Sequence, residues 1–260
     1  MTKWVLVFFT VFVSVYASLA VNAQKVSKDF FQNNLEQASA GNATAQTNLG
    51  VMYDTGNGVA ENNAEAAKWY LLAAEQGNAG AQLNLAALYY LGDGVTKNIT
   101  EAAKWFRFSA EQGNARAQSI LGTMYEDGDG VPKNVSEAVK WYRLAAEQGE
   151  ADAQLSFGVM YDSGKGVTEN SSKAFKWYRL SAEQGNSLAQ MNLGLLYADG
   201  KGVPKSYVKA YAWISLSAKQ GEEAAKPVKP MLVKLMSKEQ LKVADQLAST
   251  CLSNNYKNCG

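Results

Sequence analysis

The chain has 260 residues, 47% hydrophobic and 19% charged, with a formal net charge of +1. That composition suits a folded chain, and the near-neutral balance gives no footing for nucleic acid or an anionic membrane surface as an electrostatic partner. It contains no His, which excludes Ser-His-Asp and Cys-His catalysis and most zinc sites.

The first 23 residues differ from the rest. Lys3 is the only charge before Lys25, and the apolar run between them ends in Val21-Asn22-Ala23. A positive start, an apolar run and a small-residue end describe a secretory signal peptide, cleaved after Ala23. The rival reading is an uncleaved anchor, for which the stretch is near the lower length limit and carries Thr10, Ser14 and Ser18. Export to a periplasm or the medium is the expectation, with no stable membrane insertion after cleavage; in a eukaryote the destination would be the endoplasmic-reticulum lumen. Residues 24–40 are predicted to form one capping helix with Phe30, Phe31, Leu35 and Ala38 turned inward.

A ten-residue phrase then recurs: AAEQGNAGAQ at 73–82, SAEQGNARAQ at 109–118, AAEQGEADAQ at 145–154 and SAEQGNSLAQ at 181–190. The period is 36 residues and gives five units, 41–76, 77–112, 113–148, 149–184 and 185–220. A fixed period of this size marks a solenoid. Each unit reads as two helices. In the first, Ala45, Leu49, Met52 and Tyr53 fall on one helical face. Gly56, Gly92, Gly128, Gly164 and Gly200 stand where a helix end needs a positive φ. The second helix is predicted to open with an Asn form of the capping box, Asn62 to Glu65, Asn98 to Glu101 and Asn134 to Glu137, whose Glu becomes Lys173 and Lys209 in the last two units. Its large core residue recurs as Trp69, Trp105, Trp141, Trp177 and Trp213. The phrase itself is a hinge: Gly77 stops one helix and Asn78 caps the next.

After 221 the period dissolves. Pro227 and Pro230 precede MLVKLM, and Ser237 with Gln240 forms a second capping box before Leu241, Ala244, Leu247 and Ala248. Residues 221–250 are predicted to close the stack as a helix pair, and 251–260 to form a tail. Its Cys251 and Cys259 are a candidate disulfide; a reactive thiol pair is the alternative, without C-x-x-C spacing or basic neighbours to support it.

The repeated pattern resembles the Sel-1-like repeat family, relatives of the tetratricopeptide repeats, over residues 41–220, with Ala86 in place of the Gly found at Gly50, Gly122, Gly158 and Gly194. The resemblance implies an all-α, right-handed α-solenoid with a concave face, and a non-catalytic scaffold that binds a protein or peptide. A cysteine-rich secreted branch of that family is associated with β-lactam binding, which makes a cell-wall-associated protein binding β-lactams or muropeptides the alternative. Its units carry internal Cys pairs, and these repeats contain none.

Other motifs point to structure. The G-x-G loops lack a preceding strand and a P-loop spacing, EDGDG at 126–130 lacks the closing Glu of a calcium loop, and the sequons at Asn42, Asn98, Asn134 and Asn170 fall at predicted helix starts. Glu126 and Asp127 find no second acid opposite them and are read as a solvated pair. No cofactor, metal or catalytic residue is expected. Recognition is instead expected where units differ. On the first helices the candidate concave residues are Leu83, Tyr90, Arg116, Glu126, Leu155 and Met191, a mixed apolar and acidic set.

Overall fold

The computed structural model describes residues 29–257 and residue 259. The predicted signal peptide 1–23 and the start of the predicted cap 24–40 lie outside the described residues. Among the described residues there are helices and no strands, the expected all-α solenoid of paired helices. The described residues divide into two compact units at Gln112 and Gly113, and the division falls on a repeat boundary.

In the first unit α1 covers 29–39 and is followed by α2 (Ala43–Thr55), α3 (Asn63–Glu75), α4 (Ala79–Leu91) and α5 (Ile99–Glu111). In the second, α6 (Ala115–Asp127), α7 (Val135–Glu147), α8 (Ala151–Ser163), α9 (Ser171–Ala182), α10 (Ser187–Asp199) and α11 (Tyr207–Lys219) continue the pattern, and α12 (Ala225–Val233) and α13 (Lys238–Ser253) close it. From α2 to α5 and from α6 to α11 each helix packs on the next, and α12 and α13 both pack on α11.

Local chemistry sets these lengths. At the first helices Asn42, Asn78, Asn114 and Asn186 each accept a hydrogen bond from the backbone N–H three residues on, and Glu150 does so in the fourth repeat. The helices end on Gly56, Gly92, Gly128, Gly164 and Gly200, all with φ between 68° and 87°. The second helices open on Asn62, Asn98, Asn134, Asn170 and Ser206, whose side chains accept from the first turn. The predicted reciprocal arm of a capping box is not made there. The Asn62, Asn98 and Asn134 N–H groups already donate to Tyr53, Tyr89 and Tyr125 carbonyls, each at 2.8 Å. Glu65, Glu101 and Glu137 turn instead to Lys68, Lys104 and Lys140. Among the described residues only Ser237 and Gln240 form the complete box.

The Trp series is buried less uniformly than expected: Trp105, Trp141 and Trp213 are buried, whereas Trp69 and Trp177 are half-buried. The residue after each Trp goes deeper. Tyr70, Phe106, Tyr142, Tyr178 and Ile214 are all at most 2% exposed. These side chains explain the first-helix glycines. A Cβ on Gly122 would stand 2.7 Å from the Tyr142 ring, and Gly50 and Gly158 face Tyr70 and Tyr178 in the same way. In the repeat where Ala86 replaces the glycine, Phe106 stands in the position of these tyrosines.

The recurring phrase does more than stop helices. Its two glutamines link across the packing layer: Gln76 donates to Gln46, Gln112 to Gln82, Gln148 to Gln118, Gln184 to Gln154 and Gln220 to Gln190, at 2.7–2.8 Å. The buried member spends its own N–H on the helix before it, as Gln82 on Ala74 O and Gln190 on Ala182 O. Amides are suited to this because one side chain carries both donor and acceptor, so a buried polar layer satisfies itself.

Both ends depart from expectation in detail. Phe30 is 52% exposed; the inward polar position is taken by buried Asn34, which donates to Phe30 O and accepts from Asn48. Phe31 packs edge-on against Tyr53 at 5.8 Å. At the other end Pro227 and Pro230 lie inside α12 instead of before it. Pro227 is near the N-terminus, where a missing N–H is tolerated. α13 runs three residues past the predicted boundary at 250, so Cys251 sits in its last turn and is joined by a disulfide to Cys259, Cα to Cα 5.1 Å.

Candidate protein-binding face

The expected recognition positions lie on the first helices. In residues 29–112, Leu83 and Tyr90 stand on one side of α4, two turns apart, and both are half-buried. The Lys97 ammonium lies 5.9 Å from the Tyr90 ring centroid. Val51 on α2 is exposed, as is Leu91 at the end of α4.

In residues 113–260, Arg116 is exposed in the first turn of α6 and Glu126 is half-buried in its last. Ten residues separate them, about 15 Å along a helix, so they form no common cluster. Leu155 and Met191 occupy equivalent positions of α8 and α10 and are half-buried against the core. They hold helices together as well as line the wall. Val159 and Leu195 are each 37% exposed, Leu188 in the first turn of α10 is 38% exposed, and exposed Thr123 precedes Val159 and Leu195 in the same row. The row Thr123, Val159 and Leu195, two residues past Leu121, Phe157 and Leu193, is therefore more exposed than Leu155 and Met191. Its signal was in the sequence as variation at a fixed offset; the competing demand of packing on Leu155 and Met191 was not.

Glu126 corrects the reading of a solvated pair. The Tyr142 hydroxyl donates to its Oε2 at 2.8 Å and the Lys165 ammonium binds its Oε1 at 2.6 Å, while Asp127 stays exposed. The same link recurs, longer, from Tyr70 to Asp54 at 3.3 Å and from Tyr178 to Asp162 at 3.4 Å. Burial pushes all three tyrosine hydroxyls above the usual phenol range, with the neighbouring carboxylates adding to the rise, so they remain proton donors. Each buried Tyr holds an acid sixteen residues earlier at the rim of the wall. Where the Tyr is Phe106 the acid is replaced by Tyr90, and where it is Ile214 by Ala198. A ring without a hydroxyl has nothing to offer a carboxylate, so the acid is lost with it.

The sequon asparagines Asn42, Asn98, Asn134 and Asn170 all serve as helix caps. Among the described residues no group of three His, Cys, Asp or Glu side chains could hold a metal ion. No described helix is long and apolar enough to cross a membrane.

The geometry has counterparts in known proteins. The Sel1 repeat model matches five consecutive segments, 43–78, 79–114, 115–150, 151–186 and 187–222, two residues out of phase with the units read from the glycines. A Sel1 repeat protein from Oxalobacter formigenes is 36% identical, with a TM-score of 0.71 over 83% of this chain and 96% of that one. The c5321 protective antigen of uropathogenic Escherichia coli strains, which displays an SLR fold, is 29% identical, with a TM-score of 0.62 over 88% of this chain and 57% of that one. No curated protein matches the sequence. Proteins built of these repeats generally mediate protein–protein interaction and are typically non-catalytic. Five matched repeats spanning most of the chain make it a member of the Sel1 repeat family.

Proposed function

We propose that this protein is an exported, non-catalytic scaffold that binds a protein or peptide on the wall formed by its first helices. One observation carries the reading. In residues 113–260 the positions two residues past Leu121, Phe157 and Leu193 are exposed and hold Thr123, Val159 and Leu195. Val159 and Leu195 repeat an exposed apolar side chain at one offset of successive first helices, which marks a contact surface, whereas Leu72, Leu91 and Phe108 are exposed singly elsewhere. The acids on the same helices, Glu126 and Asp162, held by Tyr142 and Tyr178, add polar specificity. Export is supported by the apolar run and small-residue end of residues 4–23 and by a cystine in the tail.

Val159→Asp with Leu195→Asp tests the wall at two side chains that are each 37% exposed. Proteins cross-linked to the wild-type chain in its native cell should disappear from the double variant while its thermal unfolding is retained. Recovery of the same partners would remove the assignment. For export, the mature chain should begin at Gln24 and fractionate outside the cytoplasm; a cytoplasmic chain starting at Met1 contradicts it. The β-lactam or muropeptide alternative lacks the intra-repeat Cys pairs of the branch that suggests it, and calorimetry with those ligands is expected to be flat.

A further inference from the structure

We propose that the turn between α12 and α13 is a peripheral attachment point for an anionic phospholipid surface. The terminal element of a solenoid normally shows a polar outer face, because nothing stacks on it. Here it does not. Met231, Val233 and Leu235 are 62%, 38% and 56% exposed, and they alternate with Leu232, which is buried, and Met236, which is half-buried against the core. Two side chains anchor the turn and three project from it. Val243, further along α13, is also exposed.

Charge identifies the occupant. Between 224 and 243 there are five lysines and one acid, in a chain whose net charge is +1. Glu222 and Glu223 stand just before this stretch and Asp245 just after it, so the excess of lysine is confined to the turn and its flanks. Lys226 pairs with Glu223, and Lys229 lies over the Tyr211 ring at 5.0 Å. Lys234, Lys238 and Lys242 are exposed around the projecting side chains. A protein hot spot would favour Trp, Tyr or Arg in a pocket; residues 224–243 contain none of these. Flexible lysines beside protruding aliphatic chains fit a fluid interface instead, where phosphates meet the ammonium groups and the aliphatic tips enter the acyl boundary. The attachment is superficial, since no described helix can span a bilayer. It does not depend on the wall of first helices.

The test uses the full chain with a polarity-sensitive fluorophore on Met231→Cys. Cys251 and Cys259 are bonded to each other and leave the new thiol as the labelling site. Thr123→Cys on α6, likewise exposed, is the control. On vesicles of phosphatidylglycerol and phosphatidylethanolamine the label at 231 should shift to the blue and the label at 123 should not. Lys234→Glu with Lys238→Glu should weaken the vesicle titration roughly tenfold or more, and added salt should weaken it in the wild type. No shift at 231, an equal shift on pure phosphatidylcholine, or an unchanged titration in a charge-reversed chain that melts like the wild type would overturn the proposal. A shift that instead grows with protein concentration in buffer would assign the turn to a second copy of this chain and overturn it as well.

Discussion

Tyr142 is the residue in which the packing and the surface chemistry of this protein meet. Its ring lies on Gly122, its hydroxyl donates to Glu126, and the side chain is 1% exposed. Overpacking such a contact costs about 1–3 kcal/mol, so Gly122→Ala should destabilise on that scale. In a Tyr142→Phe background the ring is untethered and can tilt away. The second repeat, with Ala86 and Phe106 at the corresponding positions, carries that combination. The two substitutions should therefore couple by about 0.5 kcal/mol or more in a double-mutant cycle from urea unfolding; simple additivity would refute the tether. The recurrent Gly was visible in the sequence, but its cause was not. The period singled out the larger and rarer Trp, while the deepest side chain was its neighbour, because burial depends on the direction a residue takes from the helix and not on its size.

At the scale of the element, helix ends carry most of the repetition. The second helices take their caps from Asn or Ser side chains, and the cap's own N–H is used by the Tyr carbonyl of the preceding helix. This separates two substitutions that a full capping box would make similar. Asn134→Ala should cost about 1 kcal/mol. Glu137→Gln should cost less than about 0.5 kcal/mol, because it removes only an exposed pair with Lys140. Equal losses in urea unfolding would restore the reciprocal arm. Spacing alone suggested that arm, since S/T/N-x-x-E is written the same way whether or not another carbonyl has claimed the N–H. The same limit applies to the phrase EQG…AQ. Its Gly and Asn roles follow from local backbone chemistry, whereas the pairing of its two glutamines joins residues 30 positions apart and exists only once helices have stacked.

For the whole molecule the absence of His and the buried tyrosines set the response to pH. With no His, the one side chain that ordinarily titrates near neutrality is missing. The hydroxyls of Tyr70, Tyr142 and Tyr178 are raised by burial above their unfolded value near 10. A group raised in the folded state stabilises fully below its unfolded pKa, and that contribution is lost as pH climbs above it. Stability should therefore hold from neutrality to about pH 9 and fall beyond about pH 10. The fall should be shallower in Tyr142→Phe with Tyr178→Phe, read from urea midpoints at pH 7, 9 and 11; an identical fall would contradict the burial argument. By itself the sequence determined the period, the helix pairs, their stops and caps, and the kinship of the repeats, because each rests on residues a few positions apart. Only the tertiary structure decided which large side chain goes deepest, that Glu126 is held by Tyr142 and Lys165, that Leu155 and Met191 are shared with the core, and that the last turn shows its apolar side chains to solvent. Those outcomes depend on which neighbour reaches a position first when helices pack, and a linear spacing does not contain that competition.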